Sequence, residues 1–506
     1  MKKGRTGISI IANIVSVVVS VGVSFFLTPF LINSIGKEAY SFYPLANNFV
    51  SYMTIITLAL NSMASRFITI ELTKGNTDKA NRYFSSVFYS NIILSAVLII
   101  PMIVIVSLID HFLNVPDGLL PDVRFMFALM FCSMLINLIS SVFGVATFAK
   151  ERMDLRAGQD ISVNIIRALL YILLFSLFRP TIVFLGIVSC MAALLNGGFQ
   201  FVFSRILMPE CKLRITSFDR GSVFLLIKSG IWNSINSVGS VLTMSISVLL
   251  ANTLLGASAA GDLSIIQTLP HLISAVISAV YGVFLSKIAV MYAHGNAKAT
   301  VEYVKYTQKV LGIICNIPVV IIMILGKYFF KLWVPGENAA YLHILSIITL
   351  FPVMIHSCMW TVYGLNVTNN KLKVPALGLV VTGIFSIFLT ILLIKTTNLG
   401  LYSISISSSL TNGSFYLLFI PIYAAKKMNI NAFSFYPSII KTIVFDILMI
   451  IITIPLQGVF STVISSWFRL FLIGGVLEII CVGLYFIFVF SKEDRIPLLK
   501  SLSFKY

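Results

Sequence analysis

Long apolar stretches run through the chain almost without a break, and they decide what it can become. Bounded by polar residues or by Pro and Gly, they fall at about 9–33, 40–62, 85–109, 123–148, 161–178, 181–204 and 231–255. Seven more follow at about 261–285, 310–326, 343–365, 376–394, 399–424, 438–459 and 465–490. A helix needs about 20 apolar residues to cross a bilayer core, so each stretch is close to one crossing. Together they take up most of the 506 residues, and 58% apolar against 11% charged residues excludes a water-soluble globular core. The expected fold class is an all-α polytopic membrane protein with 14 transmembrane helices. Function then has to be carried by the helix bundle and its short connections.

The net charge of +18 would point to nucleic acid on a soluble surface; here it is read as topology, and no nucleic-acid partner is expected. With both termini on the cytoplasmic side, the outer side holds Lys37, Arg124, Arg179, Lys327, Lys331, Lys395 and Arg469. The other 29 of the 36 basic residues lie on or next to the inner side. One miscounted span in the middle would erase that asymmetry. The start, Met1-Lys2-Lys3-Gly4-Arg5 before an apolar run at 8–32, is too long for a signal peptide and is read as the first span. Five of the six cysteines sit in apolar runs and Cys211 in a short polar loop, so packing roles are expected and a disulfide framework is not.

An internal duplication is expected. At an offset of 220, Asn13 falls on Asn233, Gly36 on Gly256, Gly75-Asn76 on Gly295-Asn296, Tyr83 on Tyr303, Gly144 on Gly364 and Gly158 on Gly378. The register then slips to 216, where Asn196-Gly197-Gly198-Phe199 faces Asn412-Gly413-Ser414-Phe415. Six spans per repeat return the chain to its starting side. The halves are therefore expected to be two parallel six-helix lobes, at 1–208 and 221–428, with two additional C-terminal spans and a tail at 429–506.

Polar residues recur at helical spacing in four corresponding spans. The first carries Asn13, Ser16, Ser20, Ser24 and Thr28; the second Tyr43, Asn47, Ser51, Thr54 and Asn61. The seventh carries Asn233, Asn236, Ser240 and Ser247, and the eighth Ser264, Gln267, His271, Ser274 and Ser278. Lipid penalises such faces, so they are expected to line one substrate cavity between the halves. The competing reading is that these side chains tie helices together, and for a single serine it is preferred.

Among charges, Arg66 beyond the second span and Arg167 two turns into the fifth are the candidate anion contacts. Asp160 and Asp262 lie near span ends, and Asp446 with Lys441 and Glu478 with Arg469 are expected to pair in the trailing spans. A core without carboxylates favours a neutral or anionic cargo over a cation. No P-loop, HExxH or CxxC motif is present and the five histidines are scattered, so no catalytic residue, cofactor or metal site is expected.

The sequence resembles the multidrug/oligosaccharidyl-lipid/polysaccharide exporter superfamily, and within it the bacterial polysaccharide repeat-unit flippases. The motifs that carry the resemblance are Leu27-Thr28-Pro29-Phe30-Leu31, Gly36-Lys37-Glu38-Ala39-Tyr40, Ser65-Arg66-Phe67 and Gly75-Asn76-Thr77-Asp78-Lys79-Ala80. The resemblance implies a V-shaped pair of lobes with a cavity lined by spans one, two, seven and eight. It also implies alternating access that moves an undecaprenyl-pyrophosphate-linked oligosaccharide outward across the cell membrane, alongside polysaccharide assembly enzymes. A cation-coupled multidrug exporter of the same fold and a membrane-embedded glycan polymerase or ligase are the alternatives.

Overall fold

The computed structural model describes residues 3–293, 297–368, 371–491 and 494–495. Gly295-Asn296, the expected repeat partner of Gly75-Asn76, and the tail from residue 496 lie outside the described residues. Every regular element among the described residues is helical. Thirteen helices there are long and apolar enough to cross a membrane, which makes this a multi-pass membrane protein.

The helices, in chain order, are α1 (Lys3–Ile35), α2 (Lys37–Thr73), α3 (Thr77–Ser107), α4 (Asp117–Ala149), α5 (Met153–Leu177), α6 (Val183–Leu207) and α7 (Arg220–Leu255). They continue as α8 (Ala257–Ala293), α9 (Lys298–Trp333), α10 (Ala339–Thr368) and α11 (Lys373–Thr396). The element α12 comprises Leu401–Ser414, a π-helical turn at Phe415–Phe419 and Ile420–Lys427, and α13 (Tyr436–Thr453) and α14 (Trp467–Phe488) close the order. The remaining expected crossing, at about 399–424, coincides with the interrupted helix α12, which is not among the thirteen because it falls short in apolarity. Ser403, Ser405, Ser407, Ser408, Ser409, Thr411, Asn412 and Ser414 crowd its first half. Many of these groups satisfy themselves on the helix, as when Thr411 donates to the Ser407 carbonyl at 2.8 Å and Asn412 to that of Ser408 at 2.9 Å.

Local chemistry sets the ends. Gly36, between α1 and α2, has φ +81° and ψ 156°, and Gly256, between α7 and α8, has φ +96° and ψ 174°. Only glycine takes this conformation without strain, and the two residues that share it are 220 positions apart. Asn76 caps α3 by accepting from the Lys79 amide at 3.2 Å, and Asp219 caps α7 by accepting from the Gly221 and Ser222 amides.

The chain divides into two compact units, residues 1–264 with 379–383, and residues 265–378 with 384–506. In the first, α2 packs along α7, α4 on α6 and α1 on α5. One of its apolar cores gathers Leu60, Ile68, Phe84, Val87, Val145 and Leu226. Gly230 lets α7 approach α2 closely: a Cβ there would lie 2.0 Å from the Ala59 carbonyl oxygen. In the second unit α10 packs on α9 and α12, while α13 and α14 pack on α9 and on each other. Large apolar side chains such as Phe26, Phe468 and Ile479 are more than 70% exposed, as a surface facing lipid requires.

The expected pairs in the trailing spans are not formed. Asp446 is fully buried and accepts from Asn316 Nδ2 at 3.0 Å instead of meeting Lys441. Arg469 donates to the Val463 carbonyl at 3.2 Å and to Ser465 Oγ at 3.1 Å instead of reaching Glu478. For Asp446 the partner is brought by folding from 130 residues away, and for Arg469 it lies in the turn just before its own helix.

Candidate functional site

The first unit holds an open cavity of about 500 Å³ lined by α2, α4, α5 and α6. Five asparagines reach it from all four helices: Asn47 and Asn61 on α2, Asn137 on α4, Asn164 on α5 and Asn196 on α6. Tyr43, Thr54, Ser133, Ser141 and Ser189 add hydroxyls, and Arg167 and Asp160 add one charge of each sign. Seven residues separate those two on α5, so they lie about two turns, or 10 Å, apart along one face.

The wall is held by hydrogen bonds between helices. Asn61 and Asn91 exchange amide bonds at 3.0 Å in both directions. Asn91 also donates to the Leu138 carbonyl at 3.0 Å, and Ser141 donates to Asn61 Oδ1 at 3.1 Å, so α2, α3 and α4 are joined at one point. Across the cavity Gln159 donates to the Asn196 side chain, which donates in turn to Asn137 Oδ1 at 3.2 Å. The approach of α6 to α4 that permits this passes through Gly197, where a Cβ would sit 3.1 Å from that of Ser140.

Arg167 is the focus of the site. Its Nη2 lies 3.5 Å from Tyr43 Oη, its guanidinium stands 5.9 Å from the Tyr171 ring centroid, and its Nε is buried without a hydrogen-bond partner among the described residues. A guanidinium set between the Tyr43 and Tyr171 side chains, with no carboxylate bonded to it among the described residues, has donors that suit an anion.

Of the polar residues expected to line a cavity, Tyr43, Asn47, Thr54 and Asn61 of α2 come together here, and so does Arg167, an expected anion contact. The remaining expected residues are not part of this lining. Asn13 is exposed and donates to the Ser9 carbonyl, Ser16 is buried and Ser20 half-buried, and Ser51 donates to the Asn47 carbonyl at 2.9 Å. Asn233 donates to Ser62 Oγ at 3.2 Å and Ser240 to the Asn236 carbonyl at 3.1 Å, so Asn233 helps to tie α7 to α2. Gln267, His271 and Ser274 belong to the part of α8 in the second unit, where His271 is exposed and the other two half-buried. Arg66 is exposed near the C-terminal end of α2. Asn137 and Asn164 are cavity residues that sequence reasoning passed over, while Asn196 was read only as part of the repeat and Asp160 only as near a span end; the available signal was one asparagine inside each of three predominantly apolar spans.

A bundle of many apolar helices, with a cavity among the spans of its first unit, defines the class, a multi-pass membrane protein. The chain belongs to the polysaccharide biosynthesis protein family, whose model matches residues 7–285. It is 26% identical over 494 residues to the uncharacterized membrane protein EpsK of Bacillus subtilis (strain 168), covering 97% of this chain and 96% of that one. Among solved structures, it is similar to the inward-facing conformation of a multidrug resistance MATE family transporter of the MOP superfamily, with TM-score 0.65 and 13% identity over 82% of this chain and 94% of the other. It is also similar to the lipid II flippase MurJ in an inward closed conformation, with TM-score 0.62 and 14% identity over 94% and 98%. The fold is that of the MOP superfamily transporters.

Proposed function

We propose that the protein is a flippase that carries an undecaprenyl-pyrophosphate-linked oligosaccharide repeat unit to the outer leaflet of the bacterial plasma membrane, for polysaccharide biosynthesis. On this reading residues 1–208 and 221–428 act as the two lobes of an alternating-access device, 429–506 are appended to it, and both termini are cytoplasmic. The observation that carries the proposal is the amide-lined cavity around Arg167. Amides donate and accept at once, as sugar hydroxyls require, and a guanidinium suits a pyrophosphate. Family membership and a fold shared with a lipid II flippase support it. The lipid tail stays in the bilayer, and the inside-negative potential favours outward movement of each uncompensated negative charge by about 2.3 kcal/mol per 100 mV.

One observation favours the multidrug exporter instead: Asp160 puts a carboxylate in the same cavity, where a cation could bind. Vesicles carrying the purified protein and a labelled lipid-linked oligosaccharide separate the two. Transfer that responds to an imposed potential and weakens at least tenfold in Arg167→Ala supports the flippase. Transfer intact in both Arg167→Ala and Arg66→Ala removes the anion assignment. Drug efflux driven by sodium or protons, with no glycolipid moved, establishes the exporter.

A further inference from the structure

The second unit holds a carboxyl group that the proposed transport path leaves unused. Asp446, on α13, is fully buried, and its surroundings are built to receive it. Asn316, at the end of a π-helical turn in α9 (Gly312–Asn316), donates from Nδ2 to Asp446 Oδ2 at 3.0 Å. The other end of that amide is engaged by Ser357 on α10, whose hydroxyl donates to Asn316 Oδ1 at 2.5 Å, the Met354 carbonyl at 2.8 Å being the alternative acceptor for its one proton. Asn316 therefore presents its nitrogen, not its oxygen, to the carboxyl. Asp446 Oδ1 is buried and has no hydrogen-bond partner among the described residues.

The other titratable groups that face Asp446 are Cys358 on α10 and Tyr485 and Cys481 on α14, with Glu478 beyond Cys481. None of these is a cation. Lys309 on α9 is engaged by Asp494 at 2.6 Å, and Lys441 is five residues away on the same helix. An anionic Asp446 would be a buried charge with one amide bond and no counterion, which costs far more than leaving one neutral hydroxyl unpaired. A metal ion fares no better, since the Asn316 oxygen is taken and its amide nitrogen points the wrong way.

We infer that Asp446 is a proton-binding site of the second unit, holding its proton in the present conformation, and that the bound proton lets α13 dock on α9 and α10. Release of that proton requires water to reach the carboxyl, which means separating α13 from α9 beside the π-helical turn. On the flippase reading, such a site gives the trailing helices a proton to exchange during the cycle. The test below uses no cargo, so it fails or succeeds independently of that reading.

Infrared difference spectroscopy of the protein in lipid nanodiscs, with the chain otherwise intact, reads the site directly. The expected result is a protonated-carboxyl C=O band at neutral pH that disappears in the near-isosteric Asp446→Asn and is displaced in Asp446→Glu. Asn316→Leu removes the amide partner and should displace the same band. A spectrum without that band in the wild type, or one unchanged in Asp446→Asn, overturns the inference. Far-UV circular dichroism of Asp446→Asn establishes that the band is compared between folded proteins.

Discussion

Lys37 Nζ lies 2.9 Å from Asp262 Oδ1, joining the turn between α1 and α2 to the first turns of α8. Both side chains are less than a quarter exposed, and Gly261 lets the backbones close in, since a Cβ there would sit 2.8 Å from the Lys37 carbonyl oxygen. The contact is reinforced nearby. Asn114 donates its backbone amide to Asn252 Oδ1 at 2.8 Å and its side-chain amide to the Asn252 carbonyl at 2.5 Å. A half-buried charged hydrogen bond of this kind contributes about 1–2 kcal/mol. Lys37→Met is expected to speed hydrogen exchange of the amides around 255–262 by about tenfold, and the swap Lys37→Asp with Asp262→Lys to restore most of the protection. Unchanged exchange in Lys37→Met would show that the Asn114–Asn252 bonds hold the turn alone.

The close approach at Gly230 makes a steric prediction. Its added Cβ would meet backbone, the Ala59 carbonyl, which cannot swing aside as a side chain can. Gly230→Ala is expected to force α7 from α2 and lower the melting temperature by several degrees, a loss of at least about 2 kcal/mol. Gly22→Ala on α1, with nothing within 4 Å of the new Cβ, is the matched control and should melt like the wild type.

The Asn61–Asn91 pair predicts non-additivity. Asn91→Leu takes one partner each from the Asn61 amide and the Leu138 carbonyl, which keep Thr57 and Ser141, at a cost of about 1 kcal/mol. Adding Asn61→Leu removes the other side of the same pair. The double variant should therefore be destabilised by clearly less than the sum of the single changes, as a double-mutant cycle on thermal unfolding in detergent would read.

Asp110, on the connection between α3 and α4, supplies a pH dependence. The side-chain hydrogen bond from Arg124, at 2.9 Å, holds its carboxyl below the ordinary aspartate value. A depressed native value means the folded state binds fewer protons, so the stabilisation is present above the ordinary carboxylate range and is lost as the pH falls through the native value. Acidification should thus loosen residues 107–112, measured as faster hydrogen exchange or readier proteolysis there. Arg124→Gln should remove that acid dependence.

How far residues speak for themselves differs between fold and site. The helices were legible because a bilayer demands one physical property, sustained apolarity over a fixed length, and the described residues display it thirteen times. The shared conformation of Gly36 and Gly256 was legible as a matched pair for a similar reason, since their backbone geometry selects glycine. The cavity was only half legible. Periodicity shows that Tyr43 and Asn47 share a face of α2, but it cannot say that this face looks toward Asn137, Asn164 and Asn196 while Asn233 is spent on Ser62. A buried asparagine that ties helices and one that lines a chamber have the same local pattern. Only the packing of α4 on α6 through Gly197 tells them apart. Asp446 is the same lesson for charge: its sequence neighbour Lys441 loses to Asn316, which lies 130 residues away along the chain.

The serine-rich half of α12 has a bearing on how the protein is made. A segment so poor in apolar side chains gains little by leaving the translocation channel for lipid on its own. Its polar groups find partners on helices synthesised before it: Ser409 donates to the Ile348 carbonyl of α10 at 2.6 Å, and Ser407 bonds with Thr390 of α11. Two of its polar groups are thus partnered only once α10 and α11 lie beside it, so those helices favour its burial in the bilayer.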